Sequence, residues 1–202
     1  MKKLLMFISL LYIIFTVTSC KNKPAGIMDI LDDKAAQITY DLNVFSEEDM
    51  SLWNYKKNKI ILKGCDVDEI TKIMGFPNET INGLNDFDGV ILCIRDGRYF
   101  GGFIVAGYNN ETNEYRTSRG ISLGSKKSEI QDVYGDPSEY MLDFNILNYI
   151  YKRQNEDYIL LREEELNDED RADYYYIQFQ INKDQTVTMI TFGDYQFVFE
   201  MR

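Results

Sequence analysis

Residues Gly120–Pro137 read GISLGSKKSEIQDVYGDP. The pattern is a short strand, a tight glycine turn, one short helix and a stop. Sixty residues earlier, Ile61–Pro77 reads ILKGCDVDEITKIMGFP. Aligned without a gap, Ile61, Gly64, Glu69, Ile70, Gly75, Pro77 and Glu79 meet Ile121, Gly124, Glu129, Ile130, Gly135, Pro137 and Glu139. Seven identities in nineteen positions, against roughly one expected by chance, point to an internal repeat. The matches fall where backbone geometry is demanding: a turn glycine, a glutamate in the first helical turn, a glycine after the helix and a proline that prevents resumption.

In the first copy, Asp66 and Glu69 form a D-x-x-E capping pair for a helix over Val67–Met74, with Ile70, Ile73 and Met74 as its apolar stripe. In the second, Lys126 stands opposite Asp66. A lysine cannot accept the orphan N–H bonds, so this helix is expected to start less firmly or to shift its cap to Ser125. Ile130, Val133 and Tyr134 form its apolar face.

Outward from the repeat, Val90–Arg95 and Tyr99–Ala106 read as a hairpin about Asp96-Gly97, with Gly101-Gly102 marking a bulge or a close backbone approach. Further strands are expected over 146–153, 158–162, 174–181, 186–192 and, briefly, 196–201. In the last hairpin, pairing Asn182 with Thr186 sets Val187, Met189 and Thr191 on the face of Ile177, Phe179 and Ile181. That requires a three-residue loop, Lys183-Asp184-Gln185, with Gln185 left-handed. Upstream, the spacing of apolar residues over Gly26–Gln37 predicts a helix. Ser46 followed by Glu47, Glu48 and Asp49 predicts another, leading to Trp53, the single tryptophan, read as packing.

The chain has 202 residues, 45% hydrophobic and 14% aromatic, enough for a packed core. Its net charge is −11, or −13 without the first nineteen residues, which disfavours nucleic acid and anionic membrane surfaces as partners. It contains no histidine. That excludes Ser-His-Asp and Cys-His catalysis in their usual forms, and histidine-ligated metals. Arg162–Asp173, REEELNDEDRAD, lacks the glycine and spacing of a calcium loop and reads as a solvated loop; Asp86 and Asp88 before Gly89 are only a fragment of one. No cofactor or metal is expected.

Met1–Ser19 has a basic start at Lys2 and Lys3, an apolar run from Leu4 to Val17, and small residues before Cys20. This is the layout of a secretory signal peptide, and the apolar run is shorter than a spanning helix needs. Cys65 and Cys93 are then two cysteines of an exported chain. Inert buried thiols are the favoured reading, a disulfide the alternative.

Val17-Thr18-Ser19-Cys20 resembles the lipobox of bacterial lipoproteins, which implies cleavage before Cys20, a diacylglyceryl group on its sulfur, and a lipid-anchored place in the bacterial cell envelope. Gly120–Phe192, through Gly124, Glu129, Ile130, Tyr134, Gly135, Pro137, Asp184 and Val187, resembles the BamE (SmpA/OmlA) and beta-lactamase-inhibitor-protein-like units of such lipoproteins. Ile61–Ala106 is a weaker copy. The resemblance implies an α+β fold with two tandem modules, each with short helices packed on an antiparallel β-sheet. The expected division is a signal peptide over 1–19, a tether over 20–26, a first module over 27–119 and a second over 120–202.

The repeated residues all have folding duties, so function is sought on sheet faces and loops. Tyr174, Tyr176, Gln178 and Gln180 alternate along the last hairpin and form the candidate binding face. The expected role is protein binding or scaffolding without catalysis, anchored to the membrane through Cys20. The alternative is an inhibitor or immunity protein against an envelope enzyme, and a carboxylate-dependent hydrolase is a remote third.

Overall fold

The computed structural model describes residues 27–29, 44–46, 48–87, 89–105, 114–195 and 197–198. The readings of the signal peptide, Cys20, the tether and Asp88 lie outside them. So does most of the helix expected over Gly26–Gln37, and Ile27–Asp29 within it is a strand, β1.

The two copies of the repeat fold alike. Helix α1 spans Val67–Met74 and helix α2 spans Lys127–Tyr134, sixty residues on. Gly64, Gly75, Gly124 and Gly135 all have positive φ. Asp66 caps α1 by accepting from Asp68 N at 3.3 Å. In α2 the cap position stays at Lys126 rather than moving to Ser125, and Lys126 supplies no side-chain cap. Only the Glu129 half of the box forms: its carboxylate accepts from Lys126 N at 2.7 Å. Ile70, Ile73, Ile130 and Tyr134 are buried, each apolar side chain contributing about 1.5–3 kcal/mol.

Beyond each helix comes an edge strand, β5 (Glu79–Ile81) or β10 (Glu139–Met141), again sixty residues apart. The first copy continues through β6 (Leu84–Phe87), β7 (Val90–Arg95) and β8 (Arg98–Val105). The second continues through β11 (Ile146–Gln154), β12 (Asp157–Leu160), β13 (Tyr174–Ile181) and β14 (Val187–Asp194). Asp96 and Gly97 take φ of 50° and 74°, as the hairpin between β7 and β8 requires. Gln185 takes φ 58°, closing the three-residue loop before β14.

The expected pair of α+β modules, each with helices on its own sheet, is not what forms. Among the described residues the chain is mostly antiparallel β with two short α-helices, and a single ten-stranded sheet runs β2-β12-β11-β13-β14-β8-β7-β6-β5, with β10 on β11 and β2 being Val44–Phe45. The copies join through their last strands: β14 pairs with β8. Main-chain pairing across this seam is as regular as within each copy, so the sheet has no edge there to end a domain. A second sheet, β1-β4-β3-β9, is built from Ile27–Asp29, β3 (Leu52–Asn54), β4 (Lys59–Ile61) and β9 (Tyr115–Thr117).

The seam has near two-fold symmetry. Each copy carries one bulge: Phe100 in β8, where Cys93 pairs Gly101 and Ile94 pairs Tyr99, and Thr188 in β14, where Gln180 pairs Met189 and Ile181 pairs Val187. Phe100 and Thr188 lie 88 residues apart, as do Phe103 and Thr191, which pair directly across the seam. The Thr188 bulge corrects the expected face assignment. Val187 does face the Ile177, Phe179 and Ile181 side, but one extra residue turns Met189 and Thr191 away and brings Ile190 and Phe192 in.

Arg119, between the copies, is 4% exposed. Its guanidinium bonds both Asp49 oxygens at 3.1 and 3.2 Å, Val44 O at 2.6 Å and Val133 O at 2.9 Å. Its charge lies 5.3 Å from the Phe45 ring centre and 5.2 Å from that of Tyr134. Asp49 belongs to a 3₁₀ turn, Glu48–Met50, that replaces the helix expected after Ser46. Ser46 N donates to Asp49 at 2.8 Å, so the residues read as a helix start close a single turn. A buried charge is tolerated only when paired and hydrogen-bonded on all sides, as here.

Candidate binding face and its cleft

The sheet has two sides because strand side chains alternate. One side packs the main core, with Leu147, Phe179, Ile190 and Ile104 alongside both helices. Cross-strand pairing defines the other. Glu139, Asn148, Gln178, Thr191, Phe103, Ile91, Asp86 and Glu79 pair in succession across eight strands, so they share it. A parallel row holds Met141, Ile146, Gln180, Met189 and Val105.

Part of this second side is covered. The chain turns back after β14, with Phe197 N donating to Asp194 at 2.7 Å. The Phe197 ring then lies over Gly193 and Gly101: a Cβ on Gly193 would come within 2.5 Å of it, and one on Gly101 within 3.0 Å. Phe197 and Val198 are thus not in the strand expected over 196–201; they form a second hydrophobic cluster with Cys93, Ile150, Leu161, Tyr174 and Tyr176. The Arg162–Asp173 run, expected to be a solvated loop, makes two 3₁₀ turns, Glu163–Glu165 and Asp168–Asp173, and lays Leu166 against the same cluster.

The candidate face therefore divides. Tyr174 and Tyr176 are 3% exposed and lie beneath the cover. The Tyr174 hydroxyl accepts from Asn167 N at 3.0 Å and donates to Asn167 O at 3.2 Å. Gln178 is buried at 8% exposed and Gln180 half-buried; both lie in the open band, the part that, among the described residues, the cover does not reach. Around them Ile91, Val105, Ile146 and Met189 are half-buried and, among the described residues, join neither hydrophobic cluster. The sequence reading missed Asn148, Thr191, Phe103 and Met189 as members of this face. The first lies on a strand whose faces the sequence left unassigned, and the other three depend on bulges. Gly101 and Gly193 were the one available signal, since glycines on neighbouring strands leave room for a ring.

Where the open band meets the cover lies a cleft of about 170 Å³. Asn148, 2% exposed, crosses its floor: Nδ2 donates to Glu139 at 3.4 Å and Oδ1 accepts from Gln178 Nε2 at 3.4 Å. Arg171 and Tyr195 form the opposite wall, with Arg171 Nη1 3.5 Å from the Tyr195 hydroxyl. A wider groove of about 450 Å³ follows α2 and holds Glu129 and Asp132, but Glu129 is engaged in the helix cap. Cys65 and Cys93 are buried and unbridged. Burial, reinforced by Glu69, pushes the Cys65 thiol up to about 12, and burial also raises Cys93, so neither is a ready nucleophile.

No family model, curated protein or solved structure matches the chain.

Proposed function

We propose that the chain is a lipid-anchored protein of the bacterial cell envelope that binds another protein on the open band of its sheet, without catalysis. One observation carries this reading. Half-buried Ile91, Val105, Ile146 and Met189 stand around buried polar Asn148, Gln178 and Thr191 on a sheet side that, among the described residues, the Phe197 and Leu166 cover reaches only in part. An apolar surface interleaved with polar side chains suits a protein contact better than bulk solvent. Anchoring rests on the lipobox at Cys20, whose acyl chains would tether the chain stably if two or more are present.

The band ends in acids, Glu139 at one edge and Asp86 and Glu79 at the other, which favours a partner with basic groups flanking an apolar patch. This same feature suits the second reading, an inhibitor or immunity protein seated on a basic enzyme cleft.

The test is site-specific photo-crosslinking in intact cells from Met189 and Ile91, with Lys183 in the hairpin loop as comparison. A discrete adduct from the two face positions, absent from Lys183 and lost in Val105→Asp, is expected. If neither face position yields one while a small ligand raises the melting temperature, protein binding is the wrong reading.

A further inference from the structure

We propose that the cleft between Asn148 and Arg171, at the margin of the band, is a binding site for one uncharged, hydroxyl-rich sugar unit. The first argument is size. At about 170 Å³ it is smaller than the ~300–1,000 Å³ of ordinary small-molecule pockets, so it admits a single ring rather than a chain.

The second is charge. The lining holds one carboxylate, Glu139, and one guanidinium, Arg171. These cancel, so neither a cation nor an anion gains a net attraction. A neutral ligand meets no such conflict, and a zwitterion, which could pair with both walls, is the rival that the alanine probe separates.

The third is hydrogen-bonding capacity. A primary amide offers two N–H donors and two acceptor lone pairs. The bonds to Glu139 and Gln178 use one of each on Asn148, which lies at the cleft floor. Amide, carboxylate and guanidinium groups together offer the donors and acceptors that vicinal hydroxyls require. Between them stand Ile150 and the Tyr176 and Tyr195 rings, whose centroids are 6.3 Å apart, an apolar wall for the C–H face of a sugar ring.

The site is also built rather than incidental. Its walls come from β10, β11, the Asp168–Asp173 turn, β13 and the turn after β14, and the Tyr174–Asn167 bonds hold the covering loop in place. It borders the open band, sharing Glu139 and Asn148 with it, and lies away from Ile91, Val105 and Met189.

The experiment is saturation-transfer NMR on the full chain, in a detergent without a sugar headgroup. The probes are glucose and N-acetylglucosamine, with alanine as a zwitterion of similar hydrogen-bonding capacity. Saturable transfer to at least one sugar and none to alanine is expected. Glu139→Ala and Arg171→Ala, at half-buried and exposed positions, should each weaken sugar binding about tenfold or more with unchanged unfolding midpoints. Met189→Asp should leave it intact. No transfer from either sugar, transfer from alanine alone, or sugar binding indifferent to both cleft substitutions would overturn the proposal. Loss of protein crosslinks with sugar binding retained would remove the protein-binding reading and leave this one standing.

Discussion

Arg119 shows how one side chain holds separate segments together. It ties Val44 and Asp49 from the start of the chain to Val133 at the end of α2. Arg119→Met leaves Asp49 without its ion-pair partner and the Val44 and Val133 carbonyls without the guanidinium donors, so a loss of about 3–5 kcal/mol is expected from urea denaturation. Arg119→Lys should recover little of it, because an ammonium cannot reproduce the fork that reaches three segments. The buried tyrosines give a second expectation. The hydroxyls of Tyr99, Tyr151 and Tyr175 find no partner among the described residues, and burial raises all three well above the usual phenol range. In the unfolded chain they ionise near pH ~10. Below that pH both states keep the proton and these groups do not alter stability. Above it only the unfolded chain releases protons, so stability falls as pH rises. Cys65, held at about 12, moves the onset earlier, toward the ordinary thiol range. The urea midpoint should therefore be level at neutral pH and decline in alkali, with a further step in tyrosinate absorbance accompanying unfolding as the buried tyrosines are released. A full tyrosinate signal reached while the chain is still folded would contradict this.

At the scale of elements, α2 lacks the cap that α1 has. Lys126→Asp restores an acceptor in the geometry of Asp66 and should add about 1 kcal/mol, read as a higher denaturation midpoint. No change would mean that the Glu129 half of the box already does the capping alone. Both helices were legible from the sequence because their limits are set locally: a glutamate in the first turn, a glycine and proline after, and an apolar stripe between. The Asp96-Gly97 hairpin and the left-handed Gln185 were legible for the same reason. The Met189 and Thr191 positions were not. A bulge is one residue of slip, and nothing near Thr188 in sequence announces it; only the need to seat Ile190 and Phe192 in the core selects it. The candidate site was half legible. Alternation put Tyr174, Tyr176, Gln178 and Gln180 on one side, but what covers the tyrosines comes from Leu166 and Phe197, a contact of distant segments.

On the scale of the whole molecule, the sheet passes through both copies without a break and the main core cluster draws on both helices. Unfolding should therefore be one cooperative transition. Trp53, in β3 ahead of the first copy, and the far-ultraviolet signal of the whole sheet should give the same midpoint; two separated midpoints would show that the halves fold independently. The seam has one further consequence, for the relation between the halves. Phe103 and Thr191 occupy equivalent places and meet each other, so the contact between β8 and β14 is self-complementary, the arrangement by which two identical chains form a closed dimer. The molecule has the form that the two subunits of a closed dimer would take if joined in one polypeptide, and the long excursion between β11 and β13, present in one copy alone, is where the two halves differ most.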